Sequence, residues 1–436
     1  MIPPGVLSCY RSIARRRIPR FIVGIPVGLW LLSVVGGYLE EPYPEETTLS
    51  ALRSCHAEWT VATRLESTHP LLQHFLLWKS ATTAKGDWPA QFHRIDRESG
   101  LERETRQASA IIEALVAGKS PGPFLPAQST LESRGLWAWE AEALTAEGSP
   151  PDWAGPLLKE HETMSETIFD LWVGSSVLWL GTLVVGLPFL PDALKCFRLS
   201  SHKPASPTTR VWRPSWVLSL VLMLIVFDDY IYSSVYLFLE AVMPGEANLK
   251  FLVSDSLWRL IPPVVLSLCC IAVWKHAPRV LGLDRPPALR PVLGMLAVYV
   301  LFDTTLFLAM DQFGLLRKEA FISSLEDGTF GLFYAIISGV VMAPLVEEVM
   351  FRGFLFQSLD RRRGFWTATL VSTVIFVLIH FYGIYGSLSV ASFGILACVL
   401  YRATGSLWTP IAYHAAVNAV ITANTWPVYN GIYSLP

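Results

Sequence analysis

The sequence predicts an all-α fold, a polytopic integral membrane helical bundle of about nine spans with a small, mainly helical extracytoplasmic domain. Three observations predict it. Hydrophobic residues make up 52% of the 436 positions and charged residues only 16%, against roughly a quarter in soluble proteins, and mean hydropathy is +0.42. Apolar runs approaching the ~20 residues that a bilayer-crossing helix needs recur along the chain. Lysines and arginines between the runs fall in alternate loops, as the positive-inside rule requires.

The first run covers residues 21–39 and follows Arg11, Arg15, Arg16, Arg17 and Arg20, so residues 1–39 read as a cytoplasmic basic N-terminus and a membrane anchor. A cleaved signal peptide fits less well, because the run exceeds a usual h-region and no A-x-A site follows. Residues 40–167 form the polar extracytoplasmic segment, with about 20 acidic and about 11 basic residues. Leu71, Leu72, Phe75, Leu76 and Trp78 recur there at helical spacing, and Ser120-Pro121-Gly122-Pro123 divides it. His69 and His74 are badly spaced for one helix face, and His161-Glu162 lacks the second histidine of a zinc-protease helix, so all three read as surface histidines.

Residues 168–329 hold runs at 168–190, 215–243, 260–274 and 291–310, and residues 330–426 hold runs at 330–359, 365–385, 388–401 and 407–426, before a tail at 427–436. Lys195, Arg198, Lys203, Arg210 and Arg213 fall inside after two crossings. Lys275, Arg279, Arg285 and Arg290 fall inside after four, Arg361 to Arg363 after six, and Arg402 after eight. Arg317 and Lys318 fall outside but are balanced by Glu319, Glu326 and Asp327. The net charge of -2 and the lack of a basic patch with interleaved aromatics exclude a nucleic-acid partner. Cys9, Cys55, Cys196, Cys269, Cys270 and Cys398 form no CxxC pair, and only Cys55 lies in the outer segment, so no disulfide framework is expected.

Ionisable groups inside spans are costly and carry a functional presumption. The acids are Asp228, Asp229, Glu240, Asp303, Glu347 and Glu348, and the bases are Arg352, His380 and His414. Glu348 and Arg352 are four apart and share a helix face, so they are expected to pair, while Glu347 points about 100° away and is left for chemistry. Phe376 and His380 share a face of the next run, and His414 and Asn418 share a face of the last. A carboxylate in a low-dielectric site can act as general base, an imidazole can orient the same water, and an amide or second imidazole can stabilise an oxyanion. Glu347, His380, His414 and Asn418 are therefore the candidate catalytic residues, supported by Glu348, Arg352 and Phe376. Residue types leave a zinc site open, with Glu347, His380 and His414 as ligands. They also leave open a purely structural set of interhelical bonds. Asp228-Asp229 are candidates for lining a substrate cavity, and with Asp303 they motivate a proton-coupled transporter as a rival. Paired broken half-helices in matching halves, which a transporter would show, are missing from the sequence.

Glu347-Glu348-x-x-x-Arg352, Phe376-x-x-x-His380 and His414-x-x-x-Asn418, in that order and each inside an apolar run, resemble the three motifs of the CPBP family. This is the CAAX protease and bacteriocin-processing group of intramembrane peptidases, which includes the type II CAAX prenyl endopeptidase and Abi proteins. The resemblance covers residues 330–426. It implies an endopeptidase in which Glu347 activates water with His380, His414 and Asn418 form the oxyanion site, and Glu348 and Arg352 support them. It implies a membrane-associated peptide or protein as substrate and no required cofactor, with zinc as the alternative. A non-catalytic peptide-binding or immunity protein is the second reading. The outer segment favours a bacterial inner membrane as the location. Oligomeric state is not read from the sequence.

Overall fold

The computed structural model describes residues 26–32, 103–128, 131, 138–148, 150–202, 213–243, 247–269, 277–313, 328–380 and 382–433, and among these there is no strand. The expectations on His69, His74, Cys55 and the Arg317-Lys318 loop fall outside the described residues. The helices are α1 (Arg103–Val116), α2 (Ala138–Ala146), α3 (Gly155–Gly186), α4 (Leu190–His202), α5 (Pro214–Val226), α6 (Asp228–Val242) and α7 (Ala247–Cys269). They continue with α8 (Ala277–Leu281), α9 (Leu289–Gln312), α10 (Gly328–Arg363, in five consecutive segments), α11 (Phe365–Leu378), α12 (Ile384–Thr404) and α13 (Trp408–Tyr433).

Among the described residues, five helical stretches are long and apolar enough to cross a membrane: Val177–Ser200, Leu249–Leu268, Leu289–Met310, Phe330–Arg363 and Ile384–Thr404. A sixth is counted if α5 and α6, bent by 51° at Phe227, form one span. The protein is an all-α integral membrane protein, and among the described residues fewer than the nine expected spans meet this length and composition, the first expected span lying mostly outside them. Helix α11 has only 14 residues, short of the ~20 a crossing needs. In α13, His414, Asn418 and Asn424 dilute the apolar run. The fourth expected span also moves: the run read at 260–274 is a helix at Ala247–Cys269. Charges at Lys250, Asp255 and Arg259 mark a boundary in the sequence, yet Lys250 pairs with Glu240 and Arg259 with Asp255, so the helix carries them. Helix α3 runs unbroken across residues 167–168, where the sequence places a domain boundary, and stops where Gly186-Leu187-Pro188 removes a backbone donor.

The chain divides into two compact units. One comprises the described residues of Glu41–Gly181, Thr304–Ala335 and Val420–Pro436. Its polar part packs Leu131, Ala141, Leu144 and Ala154 into a buried cluster flanked by Leu125, Trp153, Leu157 and Leu158. Ser120 Oγ and the Gly122 N–H donate to Glu147 at 2.6 and 2.8 Å, tying the Pro/Gly segment to the end of α2.

The other unit comprises the described residues of Met1–Glu40, Thr182–Asp303 and Ile336–Ala419. Helices α5, α7, α8, α11 and α12 pack on the second half of α10. Gly186 lies against the Leu293 carbonyl and Ala297, and Gly294 against the Phe189 carbonyl and Ala193; a Cβ at either glycine would overlap backbone, so small residues set this helix approach. Two stretches of α10, Ala335–Met342 and Val349–Phe356, are wound as π-helix around the α-helical turn Ala343–Glu348. Pro344 has no N–H for the carbonyl four residues back, which loosens the ladder preceding it.

Candidate active site

The turn Ala343–Glu348 presents two consecutive carboxylates to opposite kinds of surroundings. Glu348 and Arg352 are wholly buried. Arg352 Nη1 donates to Glu348 Oε1 at 2.9 Å, the pair expected from their spacing. From α13, His414 Nδ1 lies 3.0 Å from the same oxygen; a carboxylate can only accept, so Nδ1 carries the proton. Arg352 also donates Nη2 to the Gly394 carbonyl at 3.3 Å and lies over the faces of Phe376 (4.6 Å) and Phe393 (5.6 Å). A Cβ at Gly394 would come within 3.0 Å of Thr373 and 3.4 Å of Arg352, so glycine there lets α12 reach the guanidinium.

Glu347 keeps 20% of its side chain exposed. Its Oε2 stands 3.9 Å from His414 Nε2, and its Oε1 stands 4.0 Å from Arg259 Nη1 of α7. His414 therefore stands between the two glutamates, bonded to one and facing the other. Arg259 is the residue that sequence reasoning missed. It was placed just outside a span, whereas it lies inside the crossing segment Leu249–Leu268. Its Nε donates to Asp255 at 2.9 Å, and Asp255 accepts from Ser338 of α10 at 2.6 Å. The only signal in the sequence was the i,i+4 spacing of Asp255 and Arg259.

His380 is not deep within a span, as expected; it lies two residues past the end of α11, in the turn toward α12. The apolar run through Leu378 and Ile379 conceals that helix end. His380 Nδ1 is 2.6 Å from the Phe376 carbonyl, which can only accept, so Nδ1 donates there and Nε2 is the ring nitrogen left outside that bond. Phe376 links the set: its ring centroid is 4.7 Å from that of His380, 6.2 Å from His414 and 5.0 Å from Phe351. Asn418 directs Nδ2 to the Gly339 carbonyl at 2.7 Å, so one of its two amide protons binds the π segment of α10.

The other acids named from the sequence have these partners. Asp228 heads α6 at the bend between α5 and α6, and accepts from Trp258 Nε1 at 2.9 Å. The side chain of Asp229 lies outside the described residues. Asp303 is buried and accepts from Tyr385 and Ser389, each at 2.8 Å. Among the described residues no three His, Cys, Asp or Glu side chains converge as metal ligands.

Comparisons with known proteins fall on this region. Residues 329–420 match the profile of the family described as Type II CAAX prenyl endopeptidase Rce1-like. A Bacillus subtilis (strain 168) protein, "Putative membrane peptidase YdiL", is 29% identical over 119 residues, 27% of this chain and 48% of that relative. The chain thus spans about half the length of the curated relative it matches. No solved structure matches the chain. The motif resemblance and the family match fall on the same helices, and residues 329–420 of this membrane protein are similar to the type II CAAX prenyl endopeptidase Rce1-like family.

Proposed function

We propose that the protein is an intramembrane endopeptidase that hydrolyses a peptide bond of a membrane-associated peptide or protein, with Glu347 as the base. The observation that supports it is the unequal treatment of the two glutamates: Glu348 is consumed by Arg352 and His414, while Glu347 is partly open with no hydrogen bond closer than its 3.9 and 4.0 Å neighbours among the described residues. In this reading the Glu347 carboxylate and the His380 Nε2 lone pair accept the two protons of one water. As the water oxygen attacks the carbonyl carbon, a proton passes to Glu347 and the carbonyl electron pair moves onto oxygen. The second amide proton of Asn418, with His414 beside it, forms the site for that oxyanion. Collapse breaks the C–N bond, and the leaving amine takes the proton from Glu347. No step is assigned to a metal; cleavage that persists after chelation, with metal content measured, is the check on that point.

The loop arginines support a cytoplasmic N-terminus and a cytoplasmic Arg361–Arg363 end of α10, and a bacterial inner membrane is the host membrane in this reading. The test is reconstitution in phospholipid vesicles with a library of transmembrane and lipid-anchored reporter peptides, products being read by mass spectrometry. Wild-type protein is expected to cut. Glu347→Gln and His380→Ala are expected to lose on the order of 10³-fold in rate while unfolding at the same temperature. Wild-type rates from Glu347→Gln would sink the mechanism. Retention of peptides without cleavage would favour the peptide-binding reading.

A further inference from the structure

We infer that Arg259 is a positioning residue for Glu347, clamped by Asp255 and Ser338 so that its guanidinium aims the reactive carboxylate. The inference rests on the reading of Glu347 as the base. An arginine within the crossing segment Leu249–Leu268 is costly. A half-buried ion pair with Asp255 does not by itself justify that cost, because such pairs are weak sources of stability. What the pair does provide is direction. Asp255 takes the Nε edge at 2.9 Å, which fixes the guanidinium plane, and Nη1 then faces Glu347 Oε1 at 4.0 Å. Asp255 is itself fixed, because Ser338 donates to the same Oδ2 at 2.6 Å.

The anchoring point is telling. Ser338 and Gly339 are neighbours in the π stretch Ala335–Met342, and they bind Asp255 of α7 and Asn418 of α13 respectively. One irregular turn of α10, two turns before Glu347, therefore docks the helix that carries Arg259 and the helix that carries His414. π-Helical turns are common where function needs such local geometry. On the far side of Glu347, His414 Nε2 stands at 3.9 Å from Oε2. The carboxylate is thus bracketed, one oxygen toward each cationic or potentially cationic neighbour, and both neighbours are registered by the same turn.

A double-mutant cycle tests this without a substrate. Thermal unfolding of full-length protein in detergent is compared for wild type, Arg259→Gln, Glu347→Gln and the double variant. The loss of the Asp255 bond is common to both arms and cancels, so shifts that fail to add report direct coupling of Arg259 to Glu347. Additive shifts would overturn the inference. With a cleaved reporter peptide, Arg259→Gln is expected to lower kcat about tenfold or more with KM within about twofold, and Arg259→Lys to recover part of it. A raised KM at unchanged kcat would overturn it in favour of substrate binding. Full activity of Glu347→Gln would instead remove the underlying mechanism, an outcome distinct from either.

Discussion

On one side of a single turn of α10, Glu348, Arg352 and His414 are closed off from solvent; on the other, Glu347 and Arg259 each keep about a fifth of the side chain exposed. The closed side satisfies its charge at hydrogen-bond distance, 2.9 and 3.0 Å, within a frame of Phe376 and Phe393. The open side holds its charges at 3.9 and 4.0 Å, near enough to orient and too far to bond. The difference separates two jobs that the sequence writes with the same letter. A carboxylate locked between a guanidinium and an imidazole cannot pick up a proton without breaking the helix contacts around it. A carboxylate held at a distance can. His414 joins the two sides, so the rigidity of one is passed to the geometry of the other.

The strongest way to break the comparison is to exchange the fates of the two glutamates. Glu348→Ala leaves the Arg352 charge buried without its carboxylate partner, the Gly394 carbonyl and the faces of Phe376 and Phe393 remaining beside it. Breaking one member of a buried pair costs about 3–5 kcal/mol, so low yield and a much lower unfolding temperature in detergent are expected. Glu347→Gln is expected to fold as wild type and fail only in cleavage. Equal stability losses in the two variants would show that the open side is as structural as the closed one.

Much of the closed side was legible from the sequence. Spacing alone pairs Glu348 with Arg352, and the order of the three motifs brings His414 and Phe376 to them. The open side was legible only for Glu347. Arg259 was lost because charges were taken as span ends, which holds only when a charge has no partner within reach; Asp255 one turn back makes the segment nearly neutral. The same oversight hid Lys250, which Glu240 on α6 neutralises. The end of α11 was hidden because apolar residues continue past it, so hydropathy could not see that His380 sits in a turn. The π stretches have no hydropathic signature at all, although Pro344 marks where the ladder must loosen.

A smaller perturbation sharpens how the closed side is held. Gly394→Ala places a methyl group within 3.0 Å of Thr373 Cγ2 and 3.4 Å of Arg352 Nη2. Overpacking of this kind costs about 1–2 kcal/mol, and a several-fold fall in kcat is expected as Arg352 moves against Glu348. Thr373→Ser removes the closest atom, so the double variant should recover much of both losses. No recovery would mean that the strain runs through Arg352 itself, and the two sides would then be coupled more tightly than the distances imply.

The least effect is expected where a carboxylate has two donors, like Glu348, but stands at the surface. Glu147 accepts from Ser120 Oγ and the Gly122 N–H, and these bonds, the serine first, hold its carboxyl below the ordinary value of 4.5. A carboxyl depressed in the folded state adds stability above its unfolded value and loses it as pH falls through the folded one. Ser120→Ala should therefore raise the Glu147 titration midpoint, read by carbonyl NMR of selectively labelled protein. It should lower the unfolding temperature slightly at neutral pH, and that difference should close as pH drops into the carboxylate range. A difference that persisted in acid would assign the serine a packing role instead. The bonds have the same number and similar lengths as those on Glu348, yet water competes for every one of them, so burial rather than bond count decides which carboxylate the fold depends on.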